Sequence, residues 1–158
     1  MIVSKFLKPK WQHRKPEIRK EALINLKSSD TDYEEIITTL AGTDPEPEIR
    51  RIALKRITNN LDFLLERIDQ EHDKQTHDLL LAHFTNVICS NETSNPNSLE
   101  DKLNAFNKIT NKTIIEQILV RAPESLLRAK ALAQVTKSAL IEQVVVDDTD
   151  TEMRLSAL

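Results

Sequence analysis

A pattern with a period of about 26 residues recurs along the sequence, and it limits the fold more than any other feature. One position in the pattern always holds a residue that can carry positive charge, and we call it the cationic position. Three residues later comes a small or apolar residue, and four residues later a large apolar residue. A fixed period of this length is typical of stacked repeats, each of which buries its apolar face against its neighbours. The cationic position is occupied in turn by Arg19, Arg50, His77, Lys102, Arg128 and Arg154.

The clearest copy of the pattern covers residues 44–58 and predicts an amphipathic helix. Ile49, Ala53 and Ile57 fall four residues apart, so they lie on one helical face that must be buried. Asp44 is a suitable N-cap, and Pro45 suits the first helical position, where no backbone N–H is needed.

A second helix is predicted in each repeat. The segments 113–120 and 139–146 are similar at an offset of 26 residues, with four of eight residues identical, and both are rich in Ile, Leu and Val. Two places interrupt the pattern. Residues 28–32 predict a longer turn in the first repeat, and residues 90–98 have the composition of an irregular loop where the third repeat needs its second helix.

Composition supports an all-α fold. A single glycine and 4% aromatic residues disfavour sheets joined by tight turns, and 39% hydrophobic with 30% charged residues is typical of helical proteins. We therefore expect residues 1–158 to form one domain, an alpha-alpha superhelix (solenoid) of about six short helical hairpins. Residues 1–14 are expected to form an N-terminal cap segment, with Ile2, Val3, Phe6 and Leu7 on one side of a short helix that ends at Pro9.

The repeats resemble a known family. The run Asp-Pro-Glu-Pro-Glu-Ile-Arg-Arg-Ile-Ala-Leu, at residues 44–54, is echoed at residues 15–23 and 150–158 and resembles HEAT repeats of the short, phycobilisome-lyase-like type. The opening at residues 5–19 is similar to the start of larger bacterial proteins in which such repeats precede domain of unknown function 349. This resemblance implies a bacterial scaffold. Since the pattern stops in mid-helix at Leu158, we expect the chain to be the N-terminal part of a longer protein.

The cationic position has two interpretations. An acid lies four residues before it in four of the six copies, as with Glu46 and Arg50, and acid before base at this spacing favours an ion pair within the helix. In the functional alternative, the cations line one face of the solenoid and bind acidic side chains or phosphates of a partner. The candidate partner-binding residues in this row are Arg19, Arg50, Arg128 and Arg154.

The N-terminal segment is locally basic and contains one indole. A cap that covers the first repeat with Trp11, a nucleic-acid contact in which Trp11 stacks on a base, and docking to a protein or a membrane surface all fit this pattern. Cap and docking site are compatible with each other. The candidate partner-binding residues here are Lys8, Lys10, Trp11, Arg14 and Lys15, followed by Arg19.

Catalysis is not expected, because the sequence contains no nucleophile motif and no glycine-rich phosphate loop. We predict no cofactor, no metal and no small-molecule substrate. His72, His77 and His83, with Asp69 and Asp73, match no metal-binding spacing. A single cysteine, Cys89, suits a reducing compartment, and no apolar run resembles a signal peptide or a membrane span, so a cytoplasmic location is expected.

These observations favour a non-catalytic helical-repeat scaffold that binds a protein partner or docks to the rest of its own chain. The net charge of −3 provides no global attraction for nucleic acid. The alternative function is RNA or DNA binding through the basic N-terminal segment. A third possibility, an accessory domain of an enzyme such as a lyase subunit, is implied only by the family resemblance.

Overall fold

The computed structural model describes residues 8–91 and 95–158, and within these ranges the chain forms helices and turns without strands. This confirms the predicted all-α class. A short 3₁₀ helix at Lys10–Gln12 comes first. The α-helices that follow are α1 (Pro16–Asn25), α2 (Tyr33–Thr43), α3 (Pro47–Leu54), α4 (Leu61–Gln70), α5 (Lys74–Ile88), α6 (Leu99–Phe106), α7 (Lys112–Arg121), α8 (Ser125–Leu132), α9 (Ser138–Asp147) and α10 (Thr151–Ser156).

Helix boundaries follow the sequence period. Each cationic position lies in the first helix of a repeat, and these helices are α1, α3, α5, α6, α8 and α10. The helices α2, α4, α7 and α9 are the second helices. The segments 113–120 and 139–146, which are similar in sequence, fall inside α7 and α9 respectively.

The described part of the third repeat contains one long helix where the pattern predicts two. The helix α5 is 15 residues long, and residues 90–91 and 95–98 are not helical. The side-chain amide of Asn95 donates hydrogen bonds to the carbonyl oxygens of Val87 and Ser90, each at 3.2 Å, and so satisfies carbonyl groups at the end of α5. Ser98 then opens α6 with a capping box. Residues 95–98 of the predicted loop are thus hydrogen-bonded to the helices on both sides.

The described residues divide into two compact units. Unit 1 contains residues 8–57 and 71–79, and unit 2 contains residues 58–70, 80–91 and 95–158. In unit 1, α3 packs against α1 and α2. Its core includes Leu23, Ile37, Ile49 and Leu54, each no more than 1% exposed. The apolar stripe predicted around Ile49 is therefore confirmed.

Unit 2 has its own apolar core. The helix α4 packs on α6, α7 packs on α8 and α9, and α10 packs on α8 and α9. Phe84, Phe106, Ile118 and Leu127 are among its fully buried side chains. Since burial of an aliphatic or aromatic side chain contributes roughly 1.5–3 kcal/mol, side chains of this kind provide the main drive for packing.

The start of α3 differs from the prediction. This helix begins at Pro47, and its N-cap is Glu46, whose side chain accepts no capping hydrogen bond. Asp44 is instead the C-cap of α2, and Pro47 rather than Pro45 occupies the first turn. The prediction was wrong because the Asp44 carboxylate is bound by a distant arginine, as described below, while both prolines are compatible with a helix start.

The predicted N-terminal cap is described in part. The short helix predicted for Ile2, Val3, Phe6 and Leu7 lies outside the described residues. The 3₁₀ helix at Lys10–Gln12 packs on α1, and Trp11 within it is half-buried. No helix in residues 8–91 and 95–158 is both long enough and apolar enough to cross a membrane.

The capping box of α6 provides a test of local stability. The Ser98 hydroxyl accepts a hydrogen bond from the Asp101 N–H, and the Asp101 carboxylate accepts one from the Ser98 N–H. We expect Ser98→Ala to lower the free energy of unfolding by about 1 kcal/mol, because it leaves a backbone donor without its partner. Urea unfolding followed by circular dichroism measures this loss.

The control is Ser125→Ala, which changes an exposed serine at the first position of α8, where Glu124 is the N-cap. Its effect should stay within about 0.5 kcal/mol. Equal losses for the two variants would contradict the capping assignment.

Candidate functional site

The candidate residue Arg19 is buried and paired. Its Nε and Nη2 atoms donate to the two carboxylate oxygens of Asp44, at 2.7 and 2.9 Å. Its Nη1 donates to the backbone carbonyl oxygens of His13 and Arg14. The side chain of Asp44 is only 1% exposed, and its hydrogen bond with Arg19 raises the pKa of the guanidinium. This arginine therefore carries a charge inside unit 1.

Arg50 repeats this arrangement within the same unit. Its Nε and Nη2 atoms donate to both carboxylate oxygens of Glu71, at 2.9 and 2.7 Å. Its Nη1 donates to the carbonyl oxygens of Asp44 and Pro45, the residues six and five positions earlier. The hydrogen bond with Glu71 raises the pKa of Arg50.

Arg128 shows the arrangement a third time, in unit 2. Its Nε and Nη2 atoms each lie 2.9 Å from a carboxylate oxygen of Asp148, and its Nη1 donates to the carbonyl oxygens of Ala122 and Pro123. The acids that pair with Arg19, Arg50 and Arg128 lie 25, 21 and 20 residues later in the chain. The same geometry thus recurs with the repeat.

Lys102 occupies the cationic position of the fourth repeat with a simpler version of this contact. Its side chain is 3% exposed, and its ammonium group donates to a Glu124 carboxylate oxygen and to the carbonyl oxygen of Ser90. An ammonium group lacks the planar fork that lets arginine hold both oxygens of a carboxylate. We call these contacts the four long-range ion pairs: Arg19–Asp44, Arg50–Glu71, Lys102–Glu124 and Arg128–Asp148.

The carboxylates also fix the turn that leads to the next helix. Asp44 Oδ1 accepts the N–H of Glu46, and Asp148 Oδ1 accepts the N–H of Asp150, two residues on in each case. The carbonyl oxygen of Asp148 in turn accepts a hydrogen bond from Arg154. One acid therefore connects the cation of its own repeat, the following turn and the next cationic position.

The energetic role of these pairs follows from their burial. Desolvation offsets much of the attraction within a buried ion pair, but removal of one partner leaves an uncompensated charge and costs roughly 3–5 kcal/mol. The exposed pair of Lys108 and Asp62, with side chains 55% and 63% exposed, belongs to a class worth about 1 kcal/mol or less. The long-range ion pairs are therefore costly to break, although each adds little net stability to the fold.

This geometry corrects the intrahelical interpretation of the cationic position. Arg50 pairs with Glu71 rather than with Glu46, and Arg128 pairs with Asp148 rather than with Glu124. The i, i+4 rule describes exposed helix surfaces, whereas these guanidinium groups point into the unit, where a carboxylate and two carbonyl groups are already placed.

Among the predicted partner-binding residues, Arg19, Arg50 and Arg128 are thus engaged inside the units. Their side chains are 9%, 13% and 9% exposed. Arg154 differs from them. Its Nη1 donates to the Asp148 carbonyl oxygen at 2.6 Å, its Nη2 donates to the Thr151 hydroxyl at 2.9 Å, and the residue is partly exposed.

The other predicted partner-binding residues lie on the surface of unit 1. Lys8, Lys10, Arg14 and Lys15 are exposed, and Trp11 between them is half-buried. None of the four cationic side chains forms an ion pair with a residue that the structure describes. They remain available to a partner.

The third repeat holds a histidine at the cationic position. His77 is partly exposed, and its Nδ1 lies 4.0 Å from a carboxylate oxygen of Asp78. The neighbouring Arg51 makes the polar contact to the start of α5, since it donates to Asp73 and to the hydroxyl of Thr76. An imidazole ring thus does not reproduce the bidentate contact here.

Metal and thiol chemistry have no site in the described ranges. No group of three or more His, Cys, Asp and Glu residues among residues 8–91 and 95–158 is placed to hold a metal ion. Burial raises the pKa of the Cys89 thiol to about 11 despite the positive charge of Arg121, so the thiol is neutral at pH 7.

Sequence reasoning missed the acidic partners, although a signal for them exists. An acid lies six residues before the cationic position in three copies, namely Asp44 before Arg50, Glu71 before His77 and Asp148 before Arg154. The rule for ion pairs within a helix covers acids four residues before the cation and does not extend to this spacing. The fourth repeat breaks it, since Ala122 takes the place six residues before Arg128 and Glu124 supplies the carboxylate.

Comparisons with known proteins give no relative for this chain: no family model matches it, and no curated protein and no solved structure is significantly similar to it.

The Arg128–Asp148 pair predicts a dependence of stability on pH. Burial by itself raises the pKa of the Asp148 carboxyl, but the hydrogen bonds from Arg128 and from the Asp150 N–H outweigh it, so this pKa lies below its ordinary value of 3.8. The pair therefore contributes stability above the unfolded-state pKa, and the contribution is lost as the pH falls through the lower folded-state pKa. We expect the urea midpoint to fall as the pH decreases from about 5 to 3.

The variant Asp148→Asn should be less stable at pH 7, and its stability should depend less on pH in this range. The control is Asp147→Asn, which changes an exposed neighbour and should retain the pH dependence of the unmodified chain. An unchanged pH dependence in Asp148→Asn would show that this carboxylate gains nothing from the pairing.

Proposed function

We propose that this chain is a non-catalytic scaffold, a solenoid of about six short HEAT-like hairpins that binds a protein partner or docks to the rest of its own polypeptide. Both the solenoid arrangement and the relation to HEAT repeats are part of this proposal. A stacked array of this kind typically works through an extended surface rather than through an enclosed site.

The long-range ion pairs are the observation that carries the proposal. They place one buried cation in a repeat and bind it to one carboxylate, as in Arg19–Asp44 and Arg128–Asp148. In an enzyme, charged side chains converge on one pocket, where burial and like charges prepare them for chemistry. Here the buried charges are distributed along the repeats, and each is neutralised in place. Such an arrangement favours a structural role for these charges over a catalytic one.

Exposed apolar residues at equivalent positions favour a protein partner. Val120 of α7 and Val146 of α9 lie at an offset of one period, and they are 48% and 75% exposed. Equivalent positions in an array lie on corresponding faces of successive repeats, so their side chains form one repeated feature of the surface. Apolar patches bordered by polar residues are typical of protein-binding sites.

The second candidate function is nucleic-acid binding at the N-terminal surface of unit 1. It is favoured by the exposure of Lys8, Lys10, Arg14 and Lys15 around the partly accessible indole of Trp11. Phosphate contacts by lysine and arginine combined with base stacking on an aromatic ring are the usual elements of single-strand binding. The acidic excess of the whole chain weighs against this candidate.

Affinity capture from the native lysate distinguishes the two functions. Tagged chain is used with and without nuclease treatment, and bound proteins and nucleic acids are both identified. We expect a protein that remains bound after nuclease treatment and is lost when Val120→Gln and Val146→Gln are combined, because a polar side chain does not fill an apolar contact. The matched control is Ile24→Gln, which changes an exposed apolar residue of unit 1.

The basic segment is tested in the same experiment with glutamine at Lys8, Lys10, Arg14 and Lys15. Its control removes four exposed charges elsewhere, at Lys27, Lys55, Lys112 and Lys130. Nucleic acid that is captured by the unmodified chain and by the control, but not by the N-terminal variant, would replace the scaffold function with nucleic-acid binding. Affinity that falls steeply with salt would accompany that result.

A further inference from the structure

Arg154 is held in the same way as the buried arginines, but it has no carboxylate. Its Nη1 donates to the carbonyl oxygen of Asp148, six residues earlier, as Nη1 of Arg128 does to that of Ala122. In Arg128 the remaining edge, Nε with Nη2, binds both oxygens of an acid. In Arg154 this edge has the Thr151 hydroxyl as its partner among the described residues, and no carboxylate there lies within ion-pair distance.

Two large apolar residues close to Arg154 in the sequence are exposed. The large residue four positions after the cation is no more than 1% exposed in three of the other five repeats, as Leu23, Leu54 and Phe106, and is partly exposed in two, as Leu81 and Leu132. The equivalent Leu158 is 87% exposed, and Leu155, on the next turn back, is 59% exposed. An open cationic edge and two exposed apolar side chains therefore lie within five residues of one another at Arg154, Leu155 and Leu158.

We propose that Arg154 and Leu155 of α10, together with Leu158 just after this helix, form a docking site for an amphipathic helix that ends in an aspartate or glutamate. We call these three residues the α10 face. The terminal carboxylate binds the Nε and Nη2 edge of Arg154, and the aliphatic side chains of the helix cover Leu155 and Leu158. This inference rests on the proposed scaffold function, because it names the chemistry of a protein partner.

The internal pairs define the ligand in more detail. In α2, Asp44 follows the buried Leu40 by four residues, and in α9, Asp148 follows the buried Val144 by four residues. Each of these helices is 10 or 11 residues long, and the acid is its C-cap. The expected ligand is therefore a helix of about this length with an aliphatic residue four positions before its C-terminal acid.

A carboxylate suits this site better than other anions do. The planar fork of a guanidinium group matches the two oxygens of a carboxylate, and a helix delivers that group together with apolar side chains. The carbonyl oxygen of Asp148 already holds Nη1, so the fork is oriented before the ligand arrives. This reduces the ordering cost of binding.

A tethered ligand tests the proposal. A copy of residues 133–150 is added directly after Leu158, because residue 133 follows the equivalent large apolar residue Leu132 in the fifth repeat. The copy of Asp148 then follows Arg154 by the same 20 residues that separate Arg128 from Asp148. A matched fusion carries asparagine in place of the copy of Asp148. Both fusions are also made with the substitution Arg154→Gln.

Nuclear magnetic resonance of the Arg154 Nε–H group and the urea midpoint provide the two measurements. In the aspartate fusion we expect a downfield shift of this proton and exchange with water that is at least roughly tenfold slower, because a charge-assisted hydrogen bond must open first. The urea midpoint should exceed that of the asparagine fusion, and Arg154→Gln should remove this difference. Equal signals and equal midpoints in the aspartate and asparagine fusions would overturn the proposal.

Other occupants are separated in the same spectra. A shift of the Arg154 Nε–H signal on addition of inorganic phosphate or an oligonucleotide, without one in the aspartate fusion, would assign the site to a phosphate and overturn the proposal. A shift that increases with the concentration of the unfused chain would assign it to a second copy, with the same consequence. Failure of the tethered helix while affinity capture still recovers a protein would refute the α10 face alone. If affinity capture recovers no protein but the aspartate fusion shows the expected shift and midpoint, only the scaffold function is refuted.

Discussion

A guanidinium group can leave water only if its donors find acceptors, and Arg19, Arg50 and Arg128 satisfy this condition with one shared geometry. The Nε and Nη2 edge binds a carboxylate from 20 to 25 residues later, and Nη1 binds carbonyl groups at the end of the preceding turn. Because an unpaired buried charge is costly, this requirement determines where the acid must lie. Apolar packing supplies most of the stability, and each ion pair fixes which two distant residues lie together.

The same acids explain how one repeat leads into the next. Asp44 and Asp148 end a helix, hold the cation of their own repeat through the side chain, and accept from the following cation through the backbone. The turn after each of them is fixed by a hydrogen bond from the backbone N–H two residues on. A residue with three such roles tolerates little change.

The sequence predicted the helices better than it predicted their contacts. The positions of Ile49, Ala53 and Ile57 were enough to identify a buried face, because helical period is a local property. Asp44 was predicted as an N-cap for an equally local reason, but its carboxylate is bound by Arg19, 25 residues away. Local rules do not reveal such a contact. The i−6 acid was present in the sequence, yet its significance depends on the path of the chain through a turn.

The candidate site could be predicted only in part. Spacing identified the cationic position, but only the structure separates the buried Arg19 and Arg128 from the partly exposed Arg154. All three have similar neighbours in sequence. What distinguishes them is whether a carboxylate from another segment binds the guanidinium group. The basic residues around Trp11 are exposed, and their binding of a partner remains a proposal.

The central claim, that buried pairing between distant residues specifies the repeats, is tested most directly by a double-mutant cycle on Arg19 and Asp44. The variants Arg19→Met and Asp44→Asn are studied singly and together by urea unfolding, with Lys108→Met and Asp62→Asn as the exposed control pair. We expect each single change at the buried pair to cost roughly 3–5 kcal/mol, and the double change to cost less than their sum by at least about 1.5 kcal/mol. The control pair should show a coupling below about 1 kcal/mol. Costs that add to within about 0.5 kcal/mol at Arg19 and Asp44 would contradict the account.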